Sequence, residues 1–312
     1  MEKIKLNPIF KFNENQLQNV RKAVGYEDLN RLKQDIAQLQ DWIKKQTHFR
    51  VKEFDNEYLE RWLIVNKGSI ERTKQRLDRL STYTNLMPEF LQNFDIKNEF
   101  RATHAVTNTL LLPQPTKDNY RILFFSLTGA DDKEFTLLNL YRYLIVLGHY
   151  VLCNDYTLGY EWIGDFRELT MGFIGVLNPL LIHKMMHLLV DALGQRIKRI
   201  HMISGSKFFD TALSLVKQGF TAKVRDRIVI HTSVESLYSY VPKEHLPKEL
   251  GGVTATIKEM NDELFNEVSK DEHIAKVKFM ERVATDESYR LTCKFNEVYS
   301  GVPGSFKTLC VD

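Results

Sequence analysis

The chain has 312 residues, of which 43% are hydrophobic and 27% charged. That composition suits one large folded domain or two ordinary ones, and it excludes disorder and collagen-like repetition. A net charge of only +3 gives no reason to expect a nucleic-acid partner.

No stretch approaches the roughly 18 uninterrupted apolar residues that a membrane span needs. The opening MEKIKLNPIFKFNENQ lacks the apolar core of a secretory signal. Cys153, Cys293 and Cys310 are widely spaced and odd in number. They argue against a disulfide framework and for a reducing, cytoplasmic setting.

The first hundred residues read as helices. Over 28–45, Leu29, Leu32, Ile36, Leu39 and Ile43 recur at steps of three and four, which marks one helical face. The segment 55–65 follows with Tyr58, Leu59, Trp62, Leu63 and Val65. Lys67 and Gly68 break the pattern, and Ser69 caps a further helix to about Leu80, with Arg72 on its polar face. Pro88 interrupts again. This part is basic and amphipathic, as a small bundle would be.

Beyond residue 119 the pattern changes. Residues 120–127 (YRILFFSL) form a short apolar run, as a buried strand should. A long apolar helix is expected over 135–153, a strand over 160–166 and a helix over 179–193. A third strand follows at 196–203, a helix at 206–219, a fourth strand at 227–231 and a short helix at 233–240. The tail, 256–285, reads as one uneven helix. Strands alternating with helices imply right-handed crossovers and a mainly parallel sheet.

Enzyme signals are weak. No G-x-G-x-x-G follows a strand. Residues 301–308 (GVPGSFKT) nearly spell a phosphate loop, but Phe306 stands where a second glycine is needed. His183 and His187 have a chelating spacing, yet HKMMH lacks the glutamate of a zinc-protease helix. Ser204, Gly205 and Ser206 do not form a nucleophile elbow. Asp165 and Glu168 sit at a strand end without a visible partner. No catalytic, metal or cofactor residue is assigned.

Two features stand out. Between residues 195 and 227, eight basic residues face only two acidic ones. The eight are Arg196, Lys198, Arg199, Lys207, Lys217, Lys223, Arg225 and Arg227. Such a cluster is either a solvated rim or a surface for phosphates and anionic lipid. The helix 206–219 lies inside this segment, and Phe208, Phe209, Leu213, Leu215 and Val216 make it apolar over more than one face. It is either a crossover helix packed on the sheet or a lid, with its inner face on a ligand and its outer face on a bilayer.

These residues resemble a known family. The set comprises DIAQLQDWIKKQ and YLERWLIVNKGSIERTKQRL, KEFTLLNLYR, Asp165, RIKRIHMI, FFDTALSLVKQGFTAKVRDRIVIH, LPKELGG and GSFKTL. In this order it is similar to the Sec14-like (CRAL-TRIO) lipid-binding proteins. The nearest branch is that of the tocopherol and retinaldehyde carriers, in the form expanded in insects.

The resemblance implies an α/β fold in three parts. A helical N-terminal domain (1–94) precedes a lipid-binding domain (95–255), and a C-terminal helix and tail (256–312) packs on the core. It implies a lipid cavity between a mainly parallel sheet and helices, closed by a gate helix at about 206–220. Carried over by position, the pocket is lined by Tyr141, Leu144, Leu188, Leu189, Ile200, Met202, Phe209, Ala212, Leu213 and Val216. Arg196, Lys198, Lys223 and Arg227 match the phosphoinositide contacts beside the gate. The remaining basic contact falls near Asn66, with Lys67 beside it.

Leu144 and Gly148 replace two pocket hydroxyl positions, which suggests a guest with a less polar or differently placed head than tocopherol. The usual F-D-x-x-G strand end and N-x-P hinge are absent. The implied function is binding and transfer between membranes of one small hydrophobic lipid, tocopherol-, retinoid-, carotenoid- or other isoprenoid-like. Anionic lipid at the basic patch would promote release. A monomer is expected, cytoplasmic, touching membranes peripherally, with a bound lipid and no cofactor. The rival readings are a lipid-sensing adaptor for a protein partner and, behind it, a lipid-modifying enzyme.

Overall fold

The computed structural model describes residues 4–290. Cys293, Cys310 and the segments GVPGSFKT and GSFKTL therefore lie outside the described residues.

Four helices open the chain: α1 (Gln16–Ala23), α2 (Leu29–Lys45), α3 (Asn56–Val65) and α4 (Ile70–Leu86). α2 is started by Asp28, whose side chain accepts from the Asn30 amide, and it buries Leu32, Ile36, Leu39 and Ile43. α3 is started in the same way by Asp55. It ends in a Schellman turn, with Gly68 N–H donating to Leu63 O (2.8 Å) and Lys67 N–H to Ile64 O (2.9 Å). Lys67 and Gly68 are both left-handed there, and a Cβ on Gly68 would stand 2.4 Å from Val24 O, so glycine is required. Ser69 caps α4, which runs past Leu80 because Tyr83 continues its buried face. Short helices α5 (Pro88–Leu91) and α6 (Arg101–Val106) follow.

The second half holds the sheet, β1 (Thr107–Leu111), β2 (Arg121–Leu127), β3 (Tyr160–Asp165), β4 (Ile197–Ile203) and β5 (Ile228–His231), in that spatial order. β2 to β5 are parallel, and β1 adds an antiparallel edge. Between these strands run α7 (Leu137–Asn154), α8 (Met171–Val176), α9 (Pro179–His187), α10 (Phe209–Gly219) and α11 (Ala222–Arg225). Sequential right-handed crossovers put these helices on one face of the sheet. α12 (Ile257–Val268) and α13 (Asp271–Arg282) complete the described chain. No helix among the described residues is long and apolar enough to cross a membrane.

The register sorts the strand residues. Leu123, Phe125, Trp162, Gly164, Ile200, Met202 and Ile228 share the face under the helices. Phe124, Glu161, Ile163, His201 and His231 point the other way. A fully buried pair within the second half, Arg121 Nε to Asp155 at 2.7 Å, ties the start of β2 to the end of α7. Arg121 also reaches Lys11 O (3.4 Å), and its guanidinium lies 4.2 Å from the Phe10 ring, which pins the N-terminal segment to β2.

Three helix readings need correction. The segment 179–193 is α9 followed by a π turn, Leu188–Ala192. Residues 233–240 hold a 3₁₀ turn, Glu235–Ser239. The tail is two helices, the first opened by a Thr256–Glu259 capping box. Periodicity is blind to such changes of winding, because the apolar spacing barely alters.

Candidate functional site

The helix face of the sheet is paved with aromatic rings. Phe125 lies 5.8 Å from Phe166 and 6.2 Å from Phe173, and Phe166 lies 5.9 Å from Phe209 on α10. α10 therefore sits over the strands as a roof. Its inner side buries Phe209, Ala212 and Leu213, with Val216 half-buried beside them. Its solvent side carries Asp210, Thr211, Ser214 and Gln218.

This corrects the expectation of an apolar outer face. The steps from Phe209 to Ala212, Leu213 and Val216 fall on one stripe, and Phe208 and Leu215 are half-buried at its flanks. The exposed apolar side chains stand next door, Met171 on α8 (59% exposed) and Leu180 on α9 (48%). α10 packs hard on α9, for a Cβ on Gly219 would stand 2.5 Å from Ile182 Cγ2 and 2.9 Å from Pro179 O.

Of the remaining expected pocket residues, Ile200 and Met202 share this sheet face, and the others lie on α7 and in the turn after α9. Leu188 and Leu189 are buried in the π turn, Ile200 and Met202 on β4, and Tyr141 on α7, with Leu144 half-buried. Burial pushes the Tyr141 hydroxyl far above its ordinary pKa. Trp162 keeps partial exposure although it lies on an inner strand beneath helices, and its indole N–H is buried without a hydrogen-bond partner. Buried indoles usually find an acceptor. The sequence reading passed over Trp162, and only the strand register reveals which face it takes.

A groove of about 580 Å³ opens beside the roof. Lys67, Arg72 and Arg76 line it from the helical half, Arg196 and Lys198 from the start of β4, and Lys223 and Arg227 from the segment after α10. The opposing acid is Asp191, whose carboxylate holds His187 at 2.7 Å. Burial raises the Asp191 pKa, but His187, Arg79 and Arg76 outweigh it and leave the group below its ordinary value.

The cations crowd one another. The charge of Arg196, then burial, then Arg72, Lys223 and Arg227 hold the Lys67 ammonium below its ordinary pKa. Burial, with nearby cations including Arg72 and Arg196, brings Arg76 down to about 10. The depression of Lys67, led by like charge, signifies positive charge without enough counter-charge at that end of the groove, which suits a multivalent anion, whereas Lys198, which burial would lower, is raised by Asp118 and Glu161. α11 is strapped to the roof, since Arg225 Nη1 donates to Lys217 O (3.3 Å) and Phe220 O (3.1 Å).

Comparison with known proteins bears on this architecture. The family model of the CRAL/TRIO domain matches residues 106–252, and that of the Pinta-like, UBA domain matches residues 28–100. Residues 106–252 are a CRAL/TRIO domain. The chain is also similar to the α-tocopherol transfer protein-like protein of Mus musculus, 22% identical over 246 residues. That alignment covers 72% of this chain and 66% of the relative, so the chain spans just under two thirds of the relative's length. The Homo sapiens counterpart gives 22% over 244 residues, with the same coverage. Among solved structures, that of Sfh5 aligns over 81% of this chain and 93% of its own, with 13% identity and a TM-score of 0.45.

Within the CRAL/TRIO domain the other candidates are engaged elsewhere. Asp165 accepts three side-chain hydrogen bonds from Arg167, at 2.9, 3.2 and 2.6 Å. Ser204 Oγ donates to His231 O, and Ser206 Oγ to Leu169 O. The His183 and His187 rings lie 4.5 Å apart, and among the described residues no group of three or more ligating side chains could hold a metal. Of the groove, the sequence reading named Arg196, Lys198, Lys223, Arg227 and Lys67. Arg76 went unnoticed, and its clue was its position one turn after Arg72 on α4.

Proposed function

We propose that the chain binds one small hydrophobic lipid beneath α10 and hands it over at anionic membranes, captured through the basic groove. The observation that carries this reading is the continuity of roof and groove. α10 covers the aromatic sheet face, and within eight residues of its end the same segment supplies Lys223 and Arg227 to the groove. An anion held there pulls on α11, and through the Arg225 strap on the roof.

Burial of about twenty lipid carbons gains ~16 kcal/mol gross, at ~0.8 kcal/mol per CH₂. Extraction from a bilayer gains almost none of it, because both environments are apolar. Selectivity then rests on shape and a few polar contacts. The Trp162 indole and the Tyr141 hydroxyl are the donors available on this side, so the guest carries a hydrogen-bond acceptor. A tocopherol-, retinoid- or oxygenated isoprenoid-like molecule fits that description, in keeping with the tocopherol and retinaldehyde carrier branch. Phosphoinositides are the headgroups best matched to seven clustered cations. The protein would act as a non-catalytic monomer that touches membranes peripherally.

Native mass spectrometry of protein purified from its own cells tests the first half, with one lipid per chain expected. Transfer of tocopherol, retinol and β-carotene between vesicles tests the second. A chain that arrives empty and moves none of the three is no carrier.

A further inference from the structure

On the sheet face opposite the roof lies a chain of buried polar groups that the lipid reading does not use. Glu161, His201 and His231 are all almost fully buried. His201 Nε2 lies 3.3 Å from Glu161, His201 Nδ1 lies 3.0 Å from His231 Nε2, and His231 Nδ1 lies 2.8 Å from Ser236 Oγ. Ser236 Oγ in turn lies 2.8 Å from Ser233 O.

Two proton arrangements suit this chain. With both rings neutral, Ser236 donates to His231, His231 to His201 and His201 to Glu161, and the Ser233 carbonyl goes without the hydroxyl. One further proton on His201 reverses the two links beyond it. His201 then donates to both Glu161 and His231, His231 donates to Ser236, and Ser236 donates to Ser233 O, so every contact is satisfied. A second proton would set N–H against N–H. The chain has room for one extra proton.

The far end of this chain touches the groove. The Glu161 carboxylate also holds Lys198 at 3.4 Å and Arg199 at 3.2 Å. Lys198, which lines the groove, is further held by Asp118 at 2.8 Å and lies 4.6 Å over the Tyr120 ring. The other facing group is Tyr240, its ring 5.0 Å from His201 and 5.7 Å from His231, with the Arg199 guanidinium 5.5 Å from it. Burial, then the neighbouring His201, keeps His231 below the ordinary imidazole pKa.

We propose that Glu161, His201, His231 and Ser236 form a one-proton switch on the basic groove: a proton on His201 offsets the charge of Glu161 and leaves Lys198 balanced by Asp118 alone, and the less neutralised ammonium strengthens capture of phosphate-bearing surfaces in acid. The inference rests on the groove being an anionic-surface site.

The test is binding to phosphatidylglycerol-containing vesicles, whose phosphodiester charge is constant, between about pH 7.5 and about pH 5.5. The wild-type chain should gain about fivefold, the worth of one further basic group at such a surface. Lys198→Gln should bind more weakly and lose the gain. His187→Asn should keep it, since His187 lines the groove but lies outside the chain. Imidazole ¹⁵N spectra of the wild-type protein should register uptake of one proton by the His201–His231 pair. An equal gain in Lys198→Gln, or two protons or none taken up by the pair, overturns the switch. Failure to bind these vesicles at either pH removes the membrane reading itself, and the switch with it.

Discussion

Lys223→Glu separates a binding surface from a structural rim. Lys223 is exposed on α11, and among the described residues no carboxylate lies within ion-pair distance of it. Its neighbours in the groove are cations, and its charge already contributes to depressing the Lys67 ammonium. Each basic group near an anionic surface contributes ~1 kcal/mol. Removing one positive charge and adding a negative one therefore costs about 2 kcal/mol, roughly 30-fold in affinity for phosphoinositide-bearing vesicles at low salt. The difference shrinks at higher ionic strength, where the Debye length falls to about 8 Å. Folding responds in the opposite sense, because the new carboxylate relieves repulsion among Lys67, Arg196 and Arg227. Vesicle flotation and thermal melting read the two effects separately. The expected result is a large loss of vesicle binding, no loss of Tm and unchanged lipid loading. Affinity within twofold of wild type would refute the groove's role. A Tm lower by several degrees would refute the claim that its cations repel one another.

Gly219→Ala should push α10 off α9 at Ile182, with a loss of about 1–3 kcal/mol and faster escape of a bound lipid, measured by denaturation and by off-rate. Trp162→Phe deletes one donor and keeps the ring, so affinity for a hydroxylated lipid should fall up to about tenfold, while that for a hydrocarbon analogue stays level in a titration. Burial lowers His149 to about 3, and His104 and His273 to about 4, against about 6.5 for an exposed imidazole. The unfolded chain then binds protons that the native one refuses. Stability should be full above about pH 6.5 and decline as pH falls toward the native values, by up to ~1.4 kcal/mol per pH unit for each such group. Urea midpoints across this range check it, and His149→Phe should flatten the slope.

The strand–helix alternation of the second half was legible because each element carries its own signal. Apolar runs such as YRILFFSL mark buried strands there, and in the first half the cap Ser69 marks the start of α4. β1 was not legible. Its sequence TNTLL is short and half polar, and it becomes a strand only through antiparallel pairing with β2. The π turn after α9 escaped for a related reason, because an extra residue in a helical turn leaves the apolar spacing nearly intact.

Local sequence by itself determined the main helices and the four parallel strands, the basic character of 195–227 and the amphipathic stripe of α10, since these depend on residues a few positions apart. Tertiary structure decided which residues meet. It brought Lys67, Arg72 and Arg76 across to Arg196 and Lys223, turned Trp162 under the roof and Glu161 away from it, and tied His201 to His231 thirty residues on. The physical reason is that a strand's two faces alternate by one residue, and the sequence says which way each points only once its neighbours in the sheet are known.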